Sequence, residues 1–306
     1  MLSGVLVVDK PAGPTSHDVI DRVRAALGEK RAGHTGTLDP FATGVLPVCL
    51  GKATRLARFL AAGDKAYRAT VRLGFATSTD DLLGEPLGPP REARVDRAAV
   101  DEACRGLIGP LMQVPPAYSA KRVGGQRMYA LARQGVAVER APAPVTIASL
   151  EVIALRDQEV EIEVRCSPGT YVRAIARDLG EALGVGGHLT ALRRTRSGNF
   201  GLESAVTLDD LREHGRERIV TLGALLPDVP AARVGDRGAQ ALRHGRDLGQ
   251  GVVISGFPAA PPPARMRILD ESGEALLALA VPLGFGPVVP GLPAEPVLHP
   301  DVVLSD

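Results

Sequence analysis

Two stretches of this chain, Tyr67 to Leu73 (YRATVRL) and Val160 to Cys166 (VEIEVRC), alternate polar and apolar side chains. Successive side chains of an extended chain point to opposite faces, so each stretch reads as a half-buried strand, one face on a core and the other in water. Gly4 to Val8 is apolar throughout and reads as a buried strand, and Val45 to Leu50 and Val145 to Leu155 also have strand character. Helical patterns lie between them. Ser16 is placed to cap a helix whose Val19, Ile20, Val23 and Leu27 follow helical spacing up to Gly28. Further helices are predicted at Ala53 to Ala62, Val95 to Leu107 and Arg127 to Arg133. Pro168-Gly169-Thr170 is predicted to cap a helix, YVRAIARDLGEAL, with an apolar stripe of Ala174, Ile175, Leu179 and Leu183.

A chain of 306 residues buries roughly three quarters of the surface its unfolded form exposes, so its core needs neither metal nor disulfide. Composition changes near Leu226-Pro227-Asp228, after which prolines and short valine-rich runs dominate. The expected organisation is a main domain over 1–228 and a small β-rich domain over 229–306. Nothing repeats with a period of 20 to 50 residues, which argues against a solenoid. Cys49, Cys104 and Cys166 lie far apart beside aliphatic neighbours and form no C-x-x-C pair, so they read as reduced core residues of a cytoplasmic protein. The N-terminal apolar run is short, lacks a basic lead-in and breaks at Asp9-Lys10-Pro11, fitting neither a signal peptide nor a membrane span. Net charge is +1, yet through Arg72 eleven basic residues face six acidic ones. A local excess of this kind is what phosphate-backbone binding uses, although a solvated surface is the simpler reading of charge alone.

Between the first helix and the strand at Val45 lies GEKRAGHTGTLDPFATG, too rich in Gly, Thr and Pro for regular structure. A loop held between ordered elements can carry a well-positioned site. Its carboxylate Asp39 precedes Pro40, whose ring restricts the backbone of Asp39. Taken alone, such an aspartate usually just caps its own turn.

GHTGTLDPFATGVLPV at Gly33 to Val48 resembles the signature of the TruB family of tRNA pseudouridine synthases. The resemblance continues through DKPAGPTSHD at Asp9, KAYRATVRLG at Lys65, TSTDDLLG, VPPAYSAKRVGGQRMYALARQG at Val114, CSPGTYVRAIARDLG at Cys166 and LTALRRTRSG at Leu189, spanning residues 4 to about 226. It implies an α/β (α+β) fold: a mixed, mostly antiparallel sheet flanked by helices, with an RNA-contacting insertion around 113–145. The C-terminal part resembles a PUA-like RNA-binding domain, from which PAAPPPA at Pro258 to Ala264 departs. The implied activity is isomerisation of uridine to pseudouridine at position 55 in the T-arm loop of tRNA, by a monomer without metal or cofactor. By the same resemblance Asp39 is the catalytic aspartate, Tyr67 stacks on the flipped uracil, Tyr171 lies near its carbon 5 and Arg173 pairs with Asp39. Leu192 lines the base pocket, Lys10 sits near the catalytic loop, and His34 contacts nucleotides opened by the flip.

Such chemistry breaks a C–N glycosidic bond, turns the freed base and rebonds it through carbon, inside a pocket that excludes water. One ionised carboxylate beside the sugar can start it by attacking the anomeric carbon, attacking the base or removing a ribose proton, and the sequence leaves these routes open. An arginine partner opposes the rise in pKa that burial causes. Basic candidates for phosphate contacts are Lys121, Arg122, Arg127, Arg193, Arg194 and Arg196. The rival readings are weaker. LGKAT at Leu50 lacks a P-loop's first glycine, with Leu46 in its place, and has Ala53 where Ser or Thr is required. A glycosidase wants two carboxylates, for which Asp80 or Asp81 would have to approach Asp39. A non-catalytic tRNA-binding or tRNA-folding protein on the same scaffold is the alternative from another class.

Overall fold

The computed structural model describes residues 2–117, 140–258, 261–283 and 297–304, with the backbone alone at 122–123, 126–127, 250 and 297. The two alternating stretches become neighbouring antiparallel strands, Lys65–Leu73 and Glu159–Cys166. Their register sets Tyr67 opposite Val164, Ala69 opposite Ile162 and Val71 opposite Val160, so the apolar halves of both strands share one face. On the wet face Arg68 meets Glu163 and Arg72 meets Glu159, each at 3.9 Å.

They belong to a ten-stranded sheet whose main path runs Val220–Thr221, Gly4–Lys10, Thr43–Leu50, Gly187–Ser197, Lys65–Leu73, Glu159–Cys166, Ala143–Arg156, Gly109–Gln113. Every pairing is antiparallel except Thr43–Leu50 with Gly187–Ser197, which touch in parallel only at Arg193–Thr43 and Arg194–Gly44. Gly4–Lys10 is apolar on both sides because both are covered. Leu6 and Val8 face the helices Ser16–Leu27 and Val172–Ala182, through Val19, Ile20, Val23 and Ile175. Val5 and Val7 face Leu56, Leu60, Leu269, Leu276, Leu279 and Leu304, of which Leu269, Leu276 and Leu279 come from a second sheet and Leu304 follows its last strand. That sheet orders Val253–Ser255, Ala231–Val234, Met266–Leu269, Leu276–Leu283 and Val297–Val303. A salt-bridge cluster ties it to the short helix Ala57–Ala61: Asp301 accepts from Arg58 at 2.9 Å and Arg265 at 2.8 Å, and both guanidinium groups lie over the Phe59 ring. Among the described residues no helix is long and apolar enough to cross a membrane.

Four local expectations are corrected. Thr15, not Ser16, caps the first helix, and it does so through a reciprocal capping box with Asp18. Ala53 to Ala62 divides into a 3₁₀ turn, Gly51–Leu56, and the helix Ala57–Ala61. Thr170 makes no cap to Val172–Ala182; its hydroxyl donates to the Ser167 carbonyl at 2.9 Å, and Tyr171 stands at the N-cap. The central strand Gly187–Ser197 has no counterpart among the predicted elements, because its three arginines disguise the pattern. The helix predicted at Arg127 to Arg133 lies outside the described residues.

Candidate active site

The Gly/Thr/Pro loop is fastened on every side. Ser16, freed from capping, donates its hydroxyl to the Leu38 carbonyl and accepts from the Leu38 amide, both at 2.9 Å. Lys10, fully buried, extends its ammonium beneath the turn to the carbonyls of Pro40 at 3.0 Å and Ala42 at 2.7 Å. Asp39 stands between these anchors with its side chain one-third exposed (33%).

Arg173 holds that carboxylate through two contacts, Nε to Oδ2 at 3.0 Å and Nη2 to Oδ1 at 3.3 Å. Its third nitrogen, Nη1, donates to Asp81 Oδ2 at 3.0 Å and to the Thr79 carbonyl at 3.2 Å. One turn along the same helix Arg177 reaches Asp80 at 3.1 Å, so arginines at i and i+4 grip adjacent aspartates. Asp80 itself takes a left-handed backbone (φ 60°), tolerated by aspartate, which turns the two carboxylates toward successive arginines. Asp81 is further held by the Thr79 hydroxyl at 2.6 Å and the Leu83 amide at 3.0 Å.

Burial dominates the electrostatics of Asp39 and pushes its pKa upward; the Arg173 charge opposes this, Asp81 adds to the rise and Lys10 opposes it. Lys10 responds in the opposite sense: burial pulls it down to about 8, with Asp39 resisting and Arg194 assisting. The fold therefore costs Asp39 some of its ionised character, and the two cations limit that cost.

Tyr67 is buried, pointing to the same face as Ala69, and its phenol pKa is raised by burial, against which the Arg194 charge and hydrogen bond act. Beside the loop lies an open groove of about 430 Å³ lined by Phe41, Ala69, Leu82, Leu192, Arg68 and Arg193, among others. Phe41 stands two residues after Asp39 and Leu82 one after Asp81, so the loops that hold the carboxylates also contribute to the groove wall.

Residues 24–172 match the N-terminal domain of TruB family pseudouridylate synthases, and 173–226 match the C-terminal domain of tRNA pseudouridylate synthase B. The tRNA pseudouridine synthase B of Symbiobacterium thermophilum is 49% identical over 247 residues, covering 80% of this chain and 82% of its own. That of Solibacter usitatus is 44% identical over 308 residues, covering 99% and 100%. The chain belongs to the TruB family. Among solved structures, an H/ACA ribonucleoprotein bound to a substrate RNA containing 2′-deoxyuridine aligns with a TM-score of 0.75 at 26% identity, covering 99% of this chain and 85% of that one.

Of the site residues expected from the TruB resemblance, the fold brings Asp39, Arg173 and Lys10 into one cluster, and places Leu192 in the adjoining groove. Tyr171 sits at the helix start two residues before Arg173, its backbone clamped by the Gln113 amide at 2.8 and 3.1 Å. His34 ends the short strand Ala32–His34, opposite Val48 and five residues before Asp39. The side chains of Lys121 and Arg122 lie outside the described residues. Arg194 is the exception. It is 2% exposed and its guanidinium is turned onto backbone carbonyls, so it does not present a cation to a phosphate. Asp81, named from the sequence as a carboxylate that would have to approach Asp39, does share Arg173 with it; sequence reasoning missed Ser16's grip on Leu38 and the pairing of Arg173 with Asp81 and Arg177 with Asp80, for which the four-residue spacing of the two arginines was the available signal.

The Lys10 shift has a measurable consequence. Its proton is held less tightly in the folded chain than in the unfolded one, where the ordinary value is 10.5, so folding releases a proton between about 8 and 10.5. Stability contributed at Lys10 therefore rises with pH across that window. The urea midpoint of wild type should gain on that of Lys10→Met between about pH 8 and about pH 10. A constant difference would show that Lys10 carries no depressed pKa.

Proposed function

We propose that this chain isomerises uridine to pseudouridine in tRNA, at position 55 of the T-arm loop, with Asp39 as the catalytic carboxylate. The observation that carries the reading is the Asp39 carboxylate, one-third exposed and held by Arg173 at 3.0 and 3.3 Å, in a loop whose Phe41 and Thr43 line an open groove of about 430 Å³. The carboxylate begins cleavage of the bond between N1 of uracil and C1′ of ribose. The freed base turns within the groove, C5 bonds to C1′, and the hydrogen on C5 leaves as a proton while N1 takes one up. Atoms balance without water, metal or redox cofactor.

Flipping a base costs a few kcal/mol, and stacking on one aromatic ring returns roughly 1 to 3 kcal/mol. Tyr67 supplies that ring, while Leu192 and Phe41 give the base an apolar wall. Tyr171 stands at carbon 5 to take its proton, and His34 meets the nucleotides that the flip unstacks. Lys121 and Arg122, in the insertion over 113–145, bind phosphates. Residues 1–228 carry the chemistry. Residues 229–306 form an RNA-contacting unit of PUA-like character, for which the exposed Arg237, Arg243 and Arg246 are suited. The protein works as a monomer in the cytoplasm.

The test follows from the loss of the hydrogen on C5. A tRNA transcript carrying 5-tritiated uridine, incubated with the purified chain and no cofactor, should release about one tritium per tRNA. A transcript with cytidine at position 55 should release none; release from it would overturn the position, and tight binding without release from either would favour a non-catalytic tRNA binder.

Tyr67→Ala separates packing from chemistry. The ring is 8% exposed inside the main core, so its truncation should cost about 3 to 5 kcal/mol of stability. If Tyr67 also stacks on the base, single-turnover release corrected for the folded fraction should still fall at least about tenfold. A corrected rate equal to wild type would leave Tyr67 a core residue only.

A further inference from the structure

Arg194 is among the largest fully buried side chains, on the strand Gly187–Ser197. Its Nε donates to the Val45 carbonyl at 2.7 Å and its Nη2 to the Gly36 carbonyl at 3.1 Å. Gly36 lies three residues before Asp39 and Val45 six after, so one guanidinium spans both arms of the catalytic loop. Tyr67 lies directly opposite Arg194 on the neighbouring strand, so both side chains stand on one face and the guanidinium charge acts on the phenol. The placement is enforced by Gly44, whose φ of +99° and close packing exclude a side chain: a Cβ there would stand 2.2 Å from the Arg194 carbonyl. Lys10 holds the turn after Asp39, by Pro40 and Ala42. Among the described residues the Lys10 ammonium hydrogen-bonds to the carbonyls of Pro11, Pro40 and Ala42, none of them in the arm before Asp39, and that arm is where Arg194 attaches.

We propose that Arg194 is a positioning residue for the isomerisation: it fixes the loop arm leading into Asp39 and the aromatic ring of Tyr67 in one rigid relation. A planar fork with five N–H donors in fixed directions can hold the Gly36 and Val45 carbonyls at once while its face lies against the Tyr67 side, which an ammonium on a flexible stem cannot. The charge is enclosed, so its effect passes through the groups it holds and not through contact with RNA.

This rests on the proposed isomerisation, and the experiment separates the two. Single-turnover tritium release at saturating transcript, and the dissociation constant for tRNA over a range of salt, are measured for wild type, Arg194→Met, Arg194→Lys, Tyr67→Phe and the Arg194→Met, Tyr67→Phe double variant. Arg194→Met should release tritium about 10- to 100-fold more slowly, since small misplacements at a reacting centre cost that much. Its dissociation constant should stay within about twofold of wild type, with an unchanged salt slope. Arg194→Lys keeps the charge and should remain slow. In the Tyr67→Phe background the loss from Arg194→Met should be smaller than in wild type, because part of the link is already cut. An intact rate at saturation with weaker binding and a shallower salt slope would make Arg194 a phosphate contact and overturn the proposal. Strictly multiplicative losses would overturn the link to Tyr67. Should Arg194→Met not fold, Arg194→Lys decides: a wild-type rate there refutes positioning by the fork. A wild type that releases no tritium overturns the functional reading instead.

Discussion

Asp39→Asn should fold, bind tRNA and make no detectable pseudouridine. Asparagine has nearly the volume of aspartate and keeps an oxygen for Arg173, but it has no charge with which to start glycosidic cleavage. Single-turnover release should fall about ten-thousandfold or more, as when the central group of a catalytic set is removed. The fold is spared because Arg173 retains Asp81 at 3.0 Å and the Thr79 carbonyl at 3.2 Å, so no buried cation is left alone. Stability should move against activity. Burial raises the folded pKa of Asp39 above its unfolded value, so between the two values the folded chain binds more protons and stability falls as pH rises. At neutral pH the ionised carboxylate is therefore a cost to the fold, and the neutral variant should melt at or above wild type. A melting temperature well below wild type would mean that the Arg173 contact outweighs desolvation. Substantial residual release would remove Asp39 from the chemistry.

What the sequence made legible follows from how local each signal is. Period-two alternation in YRATVRL and VEIEVRC located two adjoining strands, because one wet face leaves a mark every second residue. The helix at Ser16–Leu27 was equally visible from its apolar stripe, whereas its cap was misread: Thr15 and Ser16 are chemically interchangeable caps until the fold gives Ser16 to Leu38. The strand Gly187–Ser197 was hidden because Arg194 is buried there by bonds to carbonyls far away in sequence, and no local pattern announces a buried arginine. Asp39 stood out through its loop and its resemblance to the TruB motif. Asp80 and Asp81 did not, since their meaning lies in a helix some ninety residues later, Arg173 with Asp81 and Arg177 with Asp80 being separated by 92 and 97 positions. The difference between Arg193 and Arg194 is similar in kind. Adjacent in sequence, they point to opposite faces, and one meets Asp9 at 2.7 Å beside the open groove while the other is enclosed.

Arg173→Met should cost about as much stability as Tyr67→Ala and should, in addition, shift the pH dependence of the reaction. The guanidinium is 6% exposed, and its removal leaves Asp81, at 5% exposure, with only the Thr79 hydroxyl and the Leu83 amide among the contacts described above. Removing one partner of a buried ion pair costs about 3 to 5 kcal/mol, which in a chain of this size corresponds to roughly 6 to 20 °C in melting temperature. Asp81→Asn in the Arg173→Met background should recover part of that loss, because the unpaired charge is then gone; no recovery would mean that Arg173 stabilises mainly by packing. Asp39 feels the change as well. The Arg173 charge is the chief influence opposing desolvation at Asp39, so without it the carboxyl pKa rises further and the ionised, active form requires a higher pH. The acid limb of single-turnover release should therefore move to higher pH in Arg173→Met, with a lower plateau because the carboxylate is no longer held in two places. An acid limb at the wild-type position would show that Arg173 orients Asp39 without governing its charge.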